Sequence, residues 1–218
     1  MLRRRRPPVV RRHDNGRSAL VVRLHGYGAD EAQMDSLMPV GLDVTIADPR
    51  APHRVPPGFG WWLPDGNELA PTDAIDQAID RVVALITATQ VETGIPPAAT
   101  ALLGYSQGAT LGLCVAAARP DVVGVVATGA GALPPDRHVV ATDRPLDILV
   151  MNGTLDPIVT ASWHDETIER LSAVGHRVAG RIDRVPHVVD QAQAEAAMDF
   201  LAVHLPKPAR RQRAQAVQ

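Results

Sequence analysis

Residues 101–113, ALLGYSQGATLGL, set one aliphatic hydroxyl, that of Ser106, between Gly104 and Gly108, where an apolar run gives way to small residues of helical character. Gly-x-Ser-x-Gly between a strand and a helix is a nucleophile elbow, a strained turn that pushes the serine out at the edge of a sheet. The flanking glycines remove side chains that would strike the neighbouring strand or helix. A helix starting at Gln107 then directs its free N–H groups and positive dipole end at charge developing on a substrate oxygen. The chemistry implied is attack of an alcohol on a carbonyl carbon.

An alcohol is a weak nucleophile near neutral pH, so a base must take the Ser106 proton and a carboxylate must hold that base in the right tautomer. Behind such an elbow the partners follow in the order Ser, Asp or Glu, His, each on a loop after a later strand. The stretch LDILVMNGTLDPIV supplies Asp156 just beyond a buried strand; Asp147 lies at the other end of that strand and Asp165 inside the next helix. Four histidines follow Asp156. His164 falls on a helix, His176 precedes the last strand at the wrong edge, and His204 is near the end of the final helix. His187 alone comes after a strand and before a helix, so it is the expected general base. The second oxyanion donor is expected from LHGYGAD, where the N–H of Tyr27 would join that of Gln107. His25 is read as a structural ring bonded to that loop.

Large rings are scarce, and five of the seven (Tyr27, Phe59, Trp61, Trp62 and Tyr105) fall on the elbow, the LHGYGAD loop or the long loop after ADPR. Phe59, Trp61, Trp62 and Tyr105 are therefore expected to wall a substrate site for an acyl or aryl group. The plainer alternative is a loop that turns its rings inward to stay ordered. Arg50, His53 and Arg54 beside them read as a solvated face.

Short β-branched runs alternate with segments of helical period, the pattern of a mostly parallel sheet with helices on both faces. Strands are expected at 19–26, 42–50, 100–106, 122–130, 146–153 and 177–185, and helices at 31–38, 72–92, 107–118, 161–174 and 188–204. Asp30 and Gln33 resemble a capping box, and Gly94 closes the second helix. The long piece between Pro49 and Thr72 carries no periodicity, and a loop of that length in a compact domain is usually functional.

With 218 residues, 45% hydrophobic, the chain holds one core, so the reading is a basic N-terminal tail (1–17), one catalytic domain (18–205) and a basic C-terminal tail (206–218). A net charge of -2 argues against a nucleic-acid binder. The N-terminal arginines lead into no apolar signal region, and no run of about eighteen apolar residues offers a membrane span. A cytoplasmic, soluble protein is expected. Cys114 is the sole cysteine, which rules out an intrachain disulfide and CxxC sites; it reads as a buried filler.

Together LHGYGAD, PRAP with the following GFGWW, GYSQGA, NGTLDPIV and PHVV resemble the phospholipase/carboxylesterase family of α/β-hydrolases, in order and spacing, across about residues 20–205. The resemblance implies the α/β-hydrolase fold, Ser106, Asp156 and His187 as a triad, backbone donors at Tyr27 and Gln107, and hydrolysis of ester or thioester bonds without metal or organic cofactor. One departure stands out: similar proteins usually carry a glycine directly before the histidine, whereas Val185-Pro186 precede His187. The expected activity is that of a carboxylesterase on small to medium acyl esters. Thioester or lysophospholipid hydrolysis on longer chains is the alternative within the same residues, and a silent binding module the alternative outside them. A small-molecule ester is the expected partner, with a homodimer allowed.

Overall fold

A computed structural model describes residues 10–14, 18–37, 42–65 and 71–207 of the chain. Strands β1 (Val10–Asp14), β2 (Ala19–Leu24), β3 (Val44–Pro49), β6 (Thr100–Tyr105), β7 (Val125–Gly129), β8 (Asp147–Gly153) and β9 (Arg177–Asp183) form one sheet in the order β1-β3-β2-β6-β7-β8-β9. A hairpin of β4 (His53–Val55) and β5 (Gly58–Gly60) stands apart. All six strands expected from the sequence are present and parallel to one another. Strands β2 and β3 are buried at every position, as strands covered on both faces must be, and their Val, Ile, Leu and Ala content follows from that.

The helices are α1 (Thr72–Thr93), α2 (Gln107–Ala118), α3 (Ala161–Ala173) and α4 (Gln191–His204). Gly94 ends α1 at φ 73°, a left-handed cap that the absence of a Cβ makes cheap, with its N–H on Gln90 O. Helix α2 is buried almost throughout, and burial pushes the Cys114 thiol up to about 12. Among the described residues no helix is long and apolar enough to cross a membrane.

Several expectations need correction. Residues Val10–Asp14, assigned to the basic tail, pair antiparallel with β3 as an edge strand. One solvated flank lets such a strand carry charge instead of an alternating pattern, and Arg12 bonds outward to Glu92 of α1 at 2.6 Å. The first expected helix is a 3-10 helix over Glu31–Leu37, and Met38 lies outside the described residues. The last begins at Gln191 rather than 188, because Asp190 caps it by accepting from the Gln193 N–H. The long loop contains the β4–β5 hairpin, whose three-residue strands are too short to show a period.

The chain passes from β2 outward to β3, then returns through α1 to β6 on the other side of β2. At such a reversal the loops leaving the carboxyl ends of β2 and β6 diverge to opposite faces and leave a crevice, the usual ligand site of an open α/β sheet. The LHGYGAD loop and Ser106 are those two exits.

One buried ion pair braces this corner. Arg23 and Asp48 are both fully buried, and the guanidinium meets the carboxylate through two bonds of 2.6 Å, Nε to Oδ1 and Nη2 to Oδ2. Its Nη1 also donates to Met34 O (2.6 Å) and Leu37 O (3.2 Å). One side chain thus ties β2, β3 and the end of the 3-10 helix that follows the LHGYGAD loop. Removing one partner of a buried pair strands the other charge, so Asp48→Ala should lower unfolding free energy by about 3–5 kcal/mol. In urea titrations the double variant Arg23→Met/Asp48→Leu should lose less than Asp48→Ala alone; a larger loss would refute this account of the pair.

Candidate active site

Ser106 sits at φ 53°, ψ −119°, one of two non-glycine residues with positive φ among those described. That strain is held by its neighbours: its N–H donates to Gly129 O at 3.0 Å and its carbonyl accepts from Thr110 N at 3.0 Å. The turn also demands contacts that only glycine allows. A Cβ on Gly104 would lie 2.5 Å from Gly108 O, and one on Gly108 would lie 2.1 Å from Leu24 O.

From Ser106 a hydrogen-bonded series runs inward. Ser106 Oγ is 2.8 Å from His187 Nε2, and His187 Nδ1 is 2.7 Å from Asp156 Oδ2. The Asp156 side chain is fully buried, and its Oδ1 accepts from the N–H groups of Ile158 (2.8 Å) and Val159 (3.0 Å), which fixes the carboxylate and leaves Oδ2 for the imidazole. A carboxylate only accepts, so Nδ1 carries the hydrogen. Nε2 then offers its lone pair to the serine O–H.

The loops bearing Asp156 and His187 are bonded to each other. Thr154 N donates to Asp183 O at 2.8 Å and Leu155 N to Val185 O at 3.1 Å. A Cβ on Gly153 would stand 2.0 Å from Val185 O, so Val185-Pro186 lie directly on the strand exit that carries the acid. Without a glycine before it, His187 still meets both partners. Tyr105, expected in the substrate wall, places its ring 5.8 Å from that of His187 and donates its hydroxyl to His187 O at 2.8 Å.

The LHGYGAD loop is fastened on either side of Tyr27. Gly26 N donates to Gln33 Oε1 at 2.8 Å and Gly28 N to Phe59 O at 2.8 Å. Tyr27 N has no acceptor among the described residues, and Gln107 N, in the first turn of α2, has none within its helix. A Cβ on Gly26 would touch Ser106 Cβ at 3.3 Å, so this loop lies against the serine. Gln33 therefore does not reach back to Asp30 as in a capping box. Asp30 takes the Ala32 N–H (3.0 Å) by itself, while the glutamine holds the loop.

His25 is fully buried. Its Nε2 accepts from Ala51 N (3.1 Å), which leaves the hydrogen on Nδ1 to donate to Gly26 O (2.8 Å). This is the structural ring expected from the sequence.

The Gln107 side chain has a task that the sequence did not reveal. It accepts from Trp61 N (2.7 Å) and donates to Trp62 O (3.0 Å), fixing the long loop to the start of α2. Trp61 and Trp62 do not wall an open site: each is 3% exposed, and Trp61 Nε1 donates to His25 O at 2.8 Å. The inward-packing alternative holds for these two, because burial satisfies their large apolar area and one indole N–H together. Phe59 is half-buried beneath the guanidinium groups of Arg50 and Arg54, 4.8 and 5.2 Å from its ring centre. Arg50 is also paired with Glu31, so it is not simply a solvated charge.

Exposed apolar side chains at the strand exits are Tyr27, Leu63, Leu155, Ile158 and Val188. The last four carried no sequence signal, since loops show no period. Among the described residues no group of three or more His, Cys, Asp or Glu could hold a metal ion.

The mostly parallel sheet, the elbow and the order of the loops around it define the α/β-hydrolase fold. Residues 6–205 match the phospholipase/carboxylesterase family, and the chain belongs to that family. Esterase YpfH of Escherichia coli is 27% identical over 213 residues, covering 91% of this chain and 88% of its own. Two solved structures are similar in fold: a Mesorhizobium loti carboxylesterase (23% identity, TM-score 0.81, 93% of this chain and 98% of that one) and a Bacillus cereus carboxylesterase (14%, 0.82, 91% and 94%).

Burial lowers the pKa of His25, His164 and His176 below the ordinary value of 6.5. Above that value the imidazoles are neutral in both folded and unfolded chains and have no effect on the balance. Below it the unfolded chain takes up protons that the folded one refuses, so stability falls as pH drops from 6.5 toward the lowered values, by up to about 1.4 kcal/mol per pH unit for each ring. Urea titrations between pH 7.5 and pH 5 should show this decline, and His176→Leu should make the slope shallower. A slope unchanged by that substitution would refute the assignment for His176.

Proposed function

We propose that the protein is a serine carboxylesterase that cleaves esters of small to medium acyl groups through an acyl-enzyme. The observation that carries the reading is the 2.8 Å contact between Ser106 Oγ and His187 Nε2, continued at 2.7 Å to Asp156. In the proposed reaction Ser106 Oγ bonds to the ester carbonyl carbon as its proton passes to His187 Nε2. Negative charge then develops on the carbonyl oxygen, where the N–H groups of Tyr27 and Gln107 receive it. The C–O bond to the alcohol breaks, and His187 returns the proton to the departing oxygen. Water, deprotonated by the same ring, attacks the acyl carbon, the bond from that carbon to Ser106 Oγ breaks as His187 returns the proton to Oγ, and the acid leaves. Asp156 keeps Nδ1 protonated and stabilises the imidazolium formed in each half.

Membership of the family and the similarity to Esterase YpfH support ester hydrolysis as the reaction. Hydrolysis of longer-chain thioesters or lysophospholipids is the second reading. It is favoured by the exposed apolar side chains of Tyr27, Leu63, Leu155 and Ile158 at the strand exits, which offer surface to a longer acyl chain.

Ser106→Ala should reduce turnover of p-nitrophenyl butyrate by roughly a million-fold with an unchanged melting curve, and Asp156→Asn should cost roughly ten-thousandfold by releasing the tautomer. Wild-type rates in Ser106→Ala would end the assignment. A series of p-nitrophenyl esters from acetate to palmitate separates the two readings: kcat/KM peaking at short chains supports the first, and a rise toward the longest chains supports the second.

A further inference from the structure

The edge strand β9 has the sequence Arg177-Val178-Ala179-Gly180-Arg181-Ile182-Asp183 and, among the described residues, pairs only with β8. The N–H of Arg177 donates to Leu146 O and the carbonyl of Asp183 accepts from Thr154 N, so odd-numbered residues direct their backbone groups toward β8. In a parallel pair the alternate residues face the other way. Val178, Gly180 and Ile182 therefore turn their N–H and C=O groups outward. The strand is open there: Ala179 and Gly180 are exposed, and Ile182 is 41% exposed although apolar.

We propose that this edge is the docking surface for a second copy of the chain, pairing antiparallel about a two-fold axis through Gly180. Read against its own reverse, the strand is self-complementary. Val178 falls opposite Ile182 of the second copy, Gly180 opposite Gly180, and Ile182 opposite Val178. These are the residues whose backbone groups face outward, so each pair exchanges both hydrogen bonds. On the other face of the strand Arg177 falls opposite Asp183 of the second copy, and Asp183 opposite its Arg177.

Opposite charges directly across an antiparallel pair favour it, and shifting the register by two residues would lose both matches. Charged residues on an open edge ordinarily guard against pairing. Here their order selects one register. Arg177 already holds Asp147 at 2.6 and 2.8 Å, and Arg181 holds Asp183 at 2.7 Å, so pairing inserts each carboxylate of Asp183 between guanidinium groups from both copies.

A side chain at 180 would have to displace the end of Ile168. A Cβ there would lie 2.4 Å from Ile168 Cδ1 of α3, and the bare glycines let the two backbones meet at the axis. Antiparallel strands send the two carboxyl edges in opposite directions, so neither copy covers the Ser106 of the other. The interface is thus independent of the proposed reaction.

The test is sedimentation velocity across the micromolar range, joined to amide hydrogen exchange. The wild-type chain should sediment at twice the mass of one chain, and Ile182→Lys, which sets a charge against Val178, should sediment as the monomer with an unchanged circular dichroism spectrum. If Ile182→Lys fails to fold, exchange on the wild type decides: the amides of Val178, Gly180 and Ile182 should slow by about a hundredfold between dilute and concentrated protein. A wild-type monomer throughout, a dimer that Ile182→Lys leaves intact, or exchange at those amides that ignores concentration would each overturn the proposal.

Discussion

The packing that fixes the elbow lies where α2 crosses the end of β2, and Gly108 marks it: any Cβ there would lie 2.1 Å from Leu24 O. That approach brings the first turn of α2, with its unpaired N–H groups, beside the loop leaving β2. It also forces the strand-to-helix turn to close within one residue, and Ser106 absorbs the cost by taking φ 53°. Relaxing the turn would carry the hydroxyl away from His187 and the Gln107 N–H away from Gly26 and Tyr27. The candidate nucleophile and its candidate oxyanion donors are positioned by one constraint, and the remaining loops are arranged around it.

Those loops are held by four side chains outside the Ser106–His187–Asp156 series. Gln33 grips Gly26, Gln107 grips the Trp61–Trp62 segment, His25 joins Gly26 to Ala51, and Tyr105 joins the elbow to the His187 carbonyl. Each bonds a backbone group of a different loop, so the elbow, the LHGYGAD loop, the long loop and the histidine loop form one connected network. His25 is buried and Tyr105 and Gln107 are half-buried, where a hydrogen bond left unmade is costly, and this makes their part of the network cooperative. Beneath it the Arg23–Asp48 pair ties β2 and β3 to the 3-10 helix that supplies Gln33.

Much of this was legible in the sequence for identifiable reasons. Buried parallel strands leave uninterrupted β-branched runs, and Gly-x-Ser-x-Gly states its own backbone requirement, so the six parallel strands, Ser106 and the loops bearing Asp156 and His187 could be read directly. Strand β1 could not, since an edge strand with one solvated flank has no need to alternate. The roles of Trp61 and Trp62 were misread because ring type and loop position do not say which way a side chain faces. Gln33 and Gln107 were hidden because a long-range bond from a glutamine to a backbone group leaves no trace in local pattern. Tyr105 shows both limits: its place in the elbow was clear, while its bond to His187 O, 82 positions further on, was not.

A Ser106 hydroxyl made nucleophilic by His187 and Asp156 would react with an electrophile that mimics an ester. Treating the protein with a fluorophosphonate and mapping the adduct by peptide mass spectrometry tests this directly. One phosphonate should appear on the peptide containing Ser106, with labelling suppressed in His187→Ala. A folded protein that takes up no label, or carries it on another residue, would contradict that activation.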